Sequence, residues 1–250
     1  MKFEGWTKVI SLMTGRCGSA WFNSIVNRHP DVLLNTEIMF NPDNMETHDE
    51  YTQRMLMFLG TLPVRLDGWV VRQPAKKVGG YTSRIIHVQD KALLRRFISE
   101  MNVRVLHIYR SNLIKKGLSM WMADHLMKVR DKTAHHLTDK KTRPGPTAVK
   151  PETLWHFVLD GERETAELAE FIASLDAPVF PITYEEMLRD TLGTVNRALD
   201  FMGVPPLEKI ATEQVKIIDD DLKSALTNYD EIEARFRGTR FEKFLSEDGG

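Results

Sequence analysis

Apolar residues run along this chain in two rhythms, and their alternation outlines the fold before any chemistry is considered. Short runs rich in β-branched residues, at Val9–Met13, Val32–Leu34, Ser83–Val88, Val103–Ile108 and Val179–Thr183, have the length and continuity of strands buried in a parallel sheet. Between them apolar residues recur at helical spacing. Trp21, Phe22, Ile25 and Val26 make one stripe, Tyr51, Met55, Phe58 and Leu59 a second, and Leu93, Leu94, Phe97 and Ile98 a third. A helix from Asn112 to Val129 follows, and a long one opens at Pro151-Glu152 with Leu154, Phe157, Val158, Thr165, Leu168, Phe171 and Ile172 on one face.

The punctuation agrees with this reading. His29-Pro30-Asp31 stops the first helix, Asp90 is placed to cap the third, and Gly203 stops the last. Gly79-Gly80 reads as a chain break, and Trp69-Val70-Val71 fits either a short strand or an inserted loop. Strands alternating with helices predict an α/β fold, a central parallel β-sheet flanked by α-helices, with residues 1–250 as a single domain.

Composition narrows the function classes. A chain of 250 residues with 42% hydrophobic and 28% charged residues can bury a full core. The net charge of −1 provides no global field to recruit nucleic acid, so any anion binding must be local. One cysteine excludes an internal disulfide framework and a thiolate metal cage, and His135-His136 has no second pair at ligand spacing, so no metal is expected. The segment MKFEGWTKVI lacks the apolar core of a signal peptide and no apolar run approaches spanning length, which predicts a cytoplasmic protein without a membrane partner.

The candidate chemistry centres on the turn after the first strand. Thr14, Gly15, Arg16, Cys17, Gly18 and Ser19 form a small glycine-containing loop between a strand and a helix. Such a loop aims backbone N–H groups and the positive end of the helix dipole at one point, and Arg16 adds a full charge; the same residues would also serve as an ordinary strand-to-helix turn. The loop is no Walker A motif, since GxxxxGK followed by Ser or Thr is absent, and a P-loop-like nucleotide kinase would also need magnesium ligands that are not in place. Glu37, at the end of a strand taken to neighbour the loop strand, would face the ligand crevice and could accept a proton; it could equally cap the next turn. The strand Val103–Ile108 delivers Arg110 to its carboxyl end, ahead of the helix that carries Ser119. His107 lies inside that strand, where a core histidine is its simplest identity, and His87 ends an earlier one.

These stretches together resemble the sulfotransferases that use 3′-phosphoadenosine 5′-phosphosulfate (PAPS). In that family the first strand is followed by a basic residue, a small residue, Gly, Ser or Thr, and a hydrophobic or aromatic residue, here Arg16, Cys17, Gly18, Ser19, Ala20 and Trp21. A Glu near the end of a later strand is followed closely by Phe, Asn and Pro, here Glu37, Phe40, Asn41 and Pro42. Another strand ends in an Arg with a Ser about two turns into the next helix, here Arg110 and Ser119. The segment PITYEEMLRDTLGTVNRALDFMGV is similar to the stretch that leads from a strand ending in Tyr-Glu to a Leu-x-Phe-Leu-Gly helix end.

The resemblance implies a P-loop-like fold and in-line sulfuryl transfer from PAPS to a small hydroxylated acceptor, leaving 3′-phosphoadenosine 5′-phosphate (PAP). It assigns Arg16 and the loop from Cys17 to Trp21 to the 5′-phosphosulfate, and Arg110 with Ser119 to the 3′-phosphate. Arg237 and Gly238 resemble a carboxyl-terminal Arg/Lys-Gly loop that closes over the same phosphate. Glu37 is the base it suggests, with His107 or His87 as substitutes. Ser119 lies one residue further from Arg110 than the family's usual spacing, a rotation of about 100° on a helix. A relative that kept the fold and lost the chemistry therefore stays open. The basic segment 128–150, with Pro144-Gly145-Pro146 near its end, reads as a mobile loop, either solvated or acting as a lid.

Overall fold

The computed structural model describes residues 7–37, 64–66, 69–71, 76–88, 90–130, 145–210 and 221–246. The chain divides into two compact units. The first comprises Met1–Thr14, Gly18–Tyr109 and Glu167–Thr212, and the second Gly15–Cys17, Arg110–Ala166 and Glu213–Gly250. The expected helix at residues 49–59 lies outside the described residues.

The first unit is built on five parallel strands, β1 (Thr7–Met13), β2 (Val32–Glu37), β5 (Val78–Arg84), β6 (Arg104–Tyr109) and β7 (Val179–Thr183), in the spatial order β2-β5-β1-β6-β7. Trp69–Val71 is a strand, β4, paired antiparallel with β3 (Val64–Leu66). The central position of β1 follows from its composition: Val9, Ile10 and Leu12 are buried, so neither face of the strand tolerates water. One face of the sheet packs Ile10, Leu12, Tyr81 and Val105 against α2 (Lys91–Glu100), through Leu93, Leu94, Phe97 and Ile98, and against Leu168 and Phe171. The opposite face carries α1 (Ser19–Val26), whose Asn23 amide donates to the Thr82 hydroxyl at 2.6 Å, Thr82 lying beside Ser11 in register.

Gly79 and Gly80 do not break the chain. Both lie inside β5, where Gly80 pairs with Val9, and a Cβ on Gly80 would stand 1.8 Å from the Val9 carbonyl oxygen. The glycine permits a close backbone approach in the middle of the sheet. The strand is correspondingly earlier than its apolar run suggests, and Ile85–His87 forms a 3₁₀ turn in which Ile85 enters the core and Ile86 faces solvent. Elsewhere local signals set the helix ends. Asp90 accepts from the Leu93 N–H at 2.8 Å and so caps α2. Thr183 and Glu186 form a capping box that starts α5 (Tyr184–Arg189), and Gly203, at φ 82°, stops α6 (Thr191–Met202). At the edge of the sheet Pro181 of β7 stands opposite His107.

The second unit is helical. α3 (Leu113–Arg130) and the first two-thirds of α4 (Pro151–Ala173) share a core with α7 (Leu222–Ala225), α8 (Tyr229–Phe236) and the turn Glu242–Leu245, through Ile114, Leu118, Leu154, Val158, Ile232, Phe236 and Phe241. The basic segment 128–150 resolves into different parts. Residues 128–130 end α3, and residues 131–144 lie outside the described residues. Thr147–Val149 is a packed element rather than a loose excursion: Thr147 bridges to Leu226, Val149 is buried, and the Asn228 side chain accepts from the Val149 N–H and donates to its carbonyl. No helix among the described residues is long and apolar enough to cross a membrane.

Two substitutions test this architecture. Gly80→Ala forces β5 and β1 apart and lowers stability by at least about 2 kcal/mol in urea denaturation. Asp90→Ala removes one cap and costs about 1 kcal/mol in the same measurement.

Candidate functional site

The site grows from the way the chain leaves two neighbouring strands. Met13 pairs with Ile108, and the Thr14 N–H donates to the Ile108 carbonyl at 3.2 Å, so β1 and β6 end together at the carboxyl edge of the sheet. After β1 the backbone turns sharply, with Arg16 at φ 60° and Gly18 at φ 82°. A left-handed arginine costs about 1 kcal/mol, and such strain persists only where the surroundings hold it. Gly18, which has no side chain to cap a first turn, immediately precedes α1, so the first-turn N–H groups at Ser19, Ala20 and Trp21 have no side-chain cap. Cys17 is buried and Thr14 is fully buried, its hydroxyl without a hydrogen-bond partner among the described residues.

Within the second unit, three groups converge on this turn. The Arg16 Nε–H donates to the Ser119 Oγ at 3.1 Å, and Ser119 is buried. The Gly15 N–H donates to both carboxylate oxygens of Glu164, each at 3.0 Å. Lys116, one helical turn before Ser119, is fully buried and places its ammonium 3.2 Å from Glu164, while donating to the Gly161 carbonyl at 3.0 Å and the Thr165 hydroxyl at 2.9 Å. This contact requires α3 and α4 to pack closely: a Cβ on Gly117 would lie 2.8 Å from a methyl carbon of Val158. Arg110, 7% exposed, follows β6 directly, and Asn112 caps α3 by accepting from the Lys115 N–H at 2.9 Å.

The structure thus brings Arg16 and Ser119 together, and the extra residue between Arg110 and Ser119 does not turn Ser119 away from the loop. Other candidates are placed differently. Glu37 ends β2, but β5 lies between β2 and β1, so its strand is not the neighbour of the loop strand; two strand spacings, about 10 Å, separate them. Its side chain lies outside the described residues. His107 is half-buried in β6, stacks on Tyr109 with ring centroids 4.6 Å apart, and buries an Nε2 that has no hydrogen-bond partner among the described residues. Burial lowers its pKa to about 4, so the imidazole is neutral at pH 7 and a weak base. His87 ends the 3₁₀ turn, half-buried. Arg237 is exposed and pairs with Glu233 at 3.2 Å, while Gly238 takes φ 74°. Its neighbours Arg235 and Arg240 pair with Glu152 and Glu162, each at 2.7 Å.

Pattern reading passes over two residues here. Lys116 and Glu164 occupy positions within the apolar faces of α3 and α4, Glu164 lying three residues after buried Gly161 and four before buried Leu168. Opposite charges inside two apolar stripes are the signal that would have found the pair.

Two measurements check these placements. Arg16→Gly takes the left-handed turn without penalty and is more stable than Arg16→Ala by about 1 kcal/mol in urea unfolding; equal stabilities contradict the turn. For His107 the folded pKa lies below the unfolded one, so the unfolded chain binds more protons and stability falls as pH drops from about 6.5 to about 4. His107→Gln therefore shows a smaller fall in urea midpoint than the parent across that window.

No family model and no curated protein matches the sequence. Among solved structures, the chain is similar to a sulfotransferase from Alicyclobacillus acidocaldarius, with 16% identity and a TM-score of 0.49 over 96% of this chain and 95% of that one. It is also similar to a mouse sulfotransferase complexed with PAP, with 13% identity and a TM-score of 0.47 over 98% of this chain and 76% of that one.

Proposed function

We propose that this chain is a sulfotransferase that moves a sulfuryl group from PAPS to a hydroxyl acceptor. The observation that carries the reading is the hydrogen bond from Arg16 to Ser119, which joins the turn after β1 to the segment after β6. The sequence resemblance assigns these stretches to the two phosphate ends of one nucleotide. Both phosphates hang from a single ribose, so the groups that hold them have to lie near each other. A left-handed arginine held by a serine fits an anionic ligand better than an ordinary turn does.

The donor, when bound, supplies an activated sulfuryl group whose bond to the 5′-phosphate breaks as the bond to the acceptor oxygen forms. The chain's own groups do the rest. Arg16, always charged and planar, steadies the charge that develops on the phosphate oxygen, together with N–H groups of the loop. Arg110 and Ser119 hold the 3′-phosphate and so fix the nucleotide's orientation. Glu37, at the carboxyl end of β2, takes the proton of the attacking hydroxyl.

Calorimetry with PAP, followed by transfer from labelled PAPS to a panel of hydroxylated small molecules, tests this reading. PAP binds and Arg110→Ala weakens it at least tenfold, about 1.4 kcal/mol. Preference for ATP with Mg²⁺ over PAP points instead to a kinase.

A further inference from the structure

We infer that Glu164, with its charge balanced by Lys116, is a positioning residue that holds Gly15 and Arg16 in their anion-binding shape. The inference rests on the nucleotide reading above and deepens it by assigning the support beneath the loop. Gly15 provides the first N–H of the turn within the second unit, and that N–H points at a carboxylate, not at a ligand. The bond fixes the peptide that opens the turn, one residue ahead of the left-handed Arg16, and so sets where the chain begins its reversal. The turn is then held at two points: the Gly15 N–H on Glu164, and the Arg16 guanidinium on Ser119.

A carboxylate beneath an anion loop would by itself repel the ligand. Lys116 removes that objection. Its ammonium is fully buried 3.2 Å from Glu164, whose side chain is 5% exposed, and the contacts to Gly161 and Thr165 keep it in place. Lys116 and Ser119 are three residues apart on α3, so the same helical face carries the counter-charge for Glu164 and the acceptor for Arg16. The arrangement makes Glu164 useful as an acceptor while cancelling its field. A pair placed only to stabilise the helices would have no reason to engage the loop amide.

The test uses the full chain and the variants Glu164→Ala, Glu164→Gln and the double variant Lys116→Met/Glu164→Gln, each shown to be folded by circular dichroism. Hydrogen exchange at the Gly15 amide is read by NMR, and PAP affinity by calorimetry. In Glu164→Ala the Gly15 amide exchanges at least about tenfold faster and the PAP Kd rises at least about tenfold. Glu164→Gln keeps an acceptor oxygen, so the amide stays protected and the Kd stays within about threefold. The double variant keeps that oxygen and removes both charges, and it behaves like Glu164→Gln; it decides the matter should Glu164→Ala not fold. Unchanged Gly15 exchange in Glu164→Ala overturns the inference, as does Glu164→Gln, or the double variant, losing protection and affinity as Glu164→Ala is expected to. If the parent chain does not bind PAP, the nucleotide reading fails, and Gly15 exchange alone still decides whether Glu164 holds the loop.

Discussion

A fully buried ammonium 3.2 Å from a nearly buried carboxylate is the constraint around which the second unit is arranged. Taking both charges out of water is expensive, so such a pair adds little net stability, but separating it leaves an uncompensated buried charge at a cost of about 3–5 kcal/mol. The helices therefore have little freedom in how they meet. Gly117 lets α3 approach Val158, the approach brings Lys116 to the Gly161 carbonyl, and the carboxylate that completes the set also receives the Gly15 amide. Loop geometry and helix packing are consequences of one electrostatic requirement.

Among the described residues, the cations discussed above differ in their physics according to burial. Arg237 and Arg240 lie at the surface in ion pairs with Glu233 and Glu162, where water and salt screen each contact. Arg16, Arg110 and Lys116 are half-buried or buried, where a charge is screened less than it is in water. A formal net charge of −1 conceals this division, because summing charges ignores the dielectric around each.

Much of the architecture was legible because local chemistry and burial agree. The apolar run at Val9–Leu12, the Asp90 cap, the Thr183 strand end and the Gly203 stop each name one structure, and each is found. Reading failed where a residue type has two uses. Glycines punctuate chains and also allow backbones to touch, and at Gly80 the second use prevails. Charged residues mark a solvated helix face and also form buried pairs, which hid Lys116 and Glu164. The order of strands is a third case: β5 enters between β1 and β2, and no feature of the intervening chain announces that Glu37 stands one strand further from the loop. Arg16 and Ser119 were legible as residue types, while the hydrogen bond between them depends on how α3 is rotated.

The proline in β7 has an effect that reaches past the isolated molecule. The Val105 N–H donates to the Pro178 carbonyl, and backbone groups alternate sides along a strand, so the nitrogen of Pro181 faces away from β6. A foreign strand sliding alongside would find no donor at the middle of this border. Recruitment into fibrils or strand-swapped assemblies is thus obstructed from that flank, by a residue that costs the native ladder none of its own hydrogen bonds.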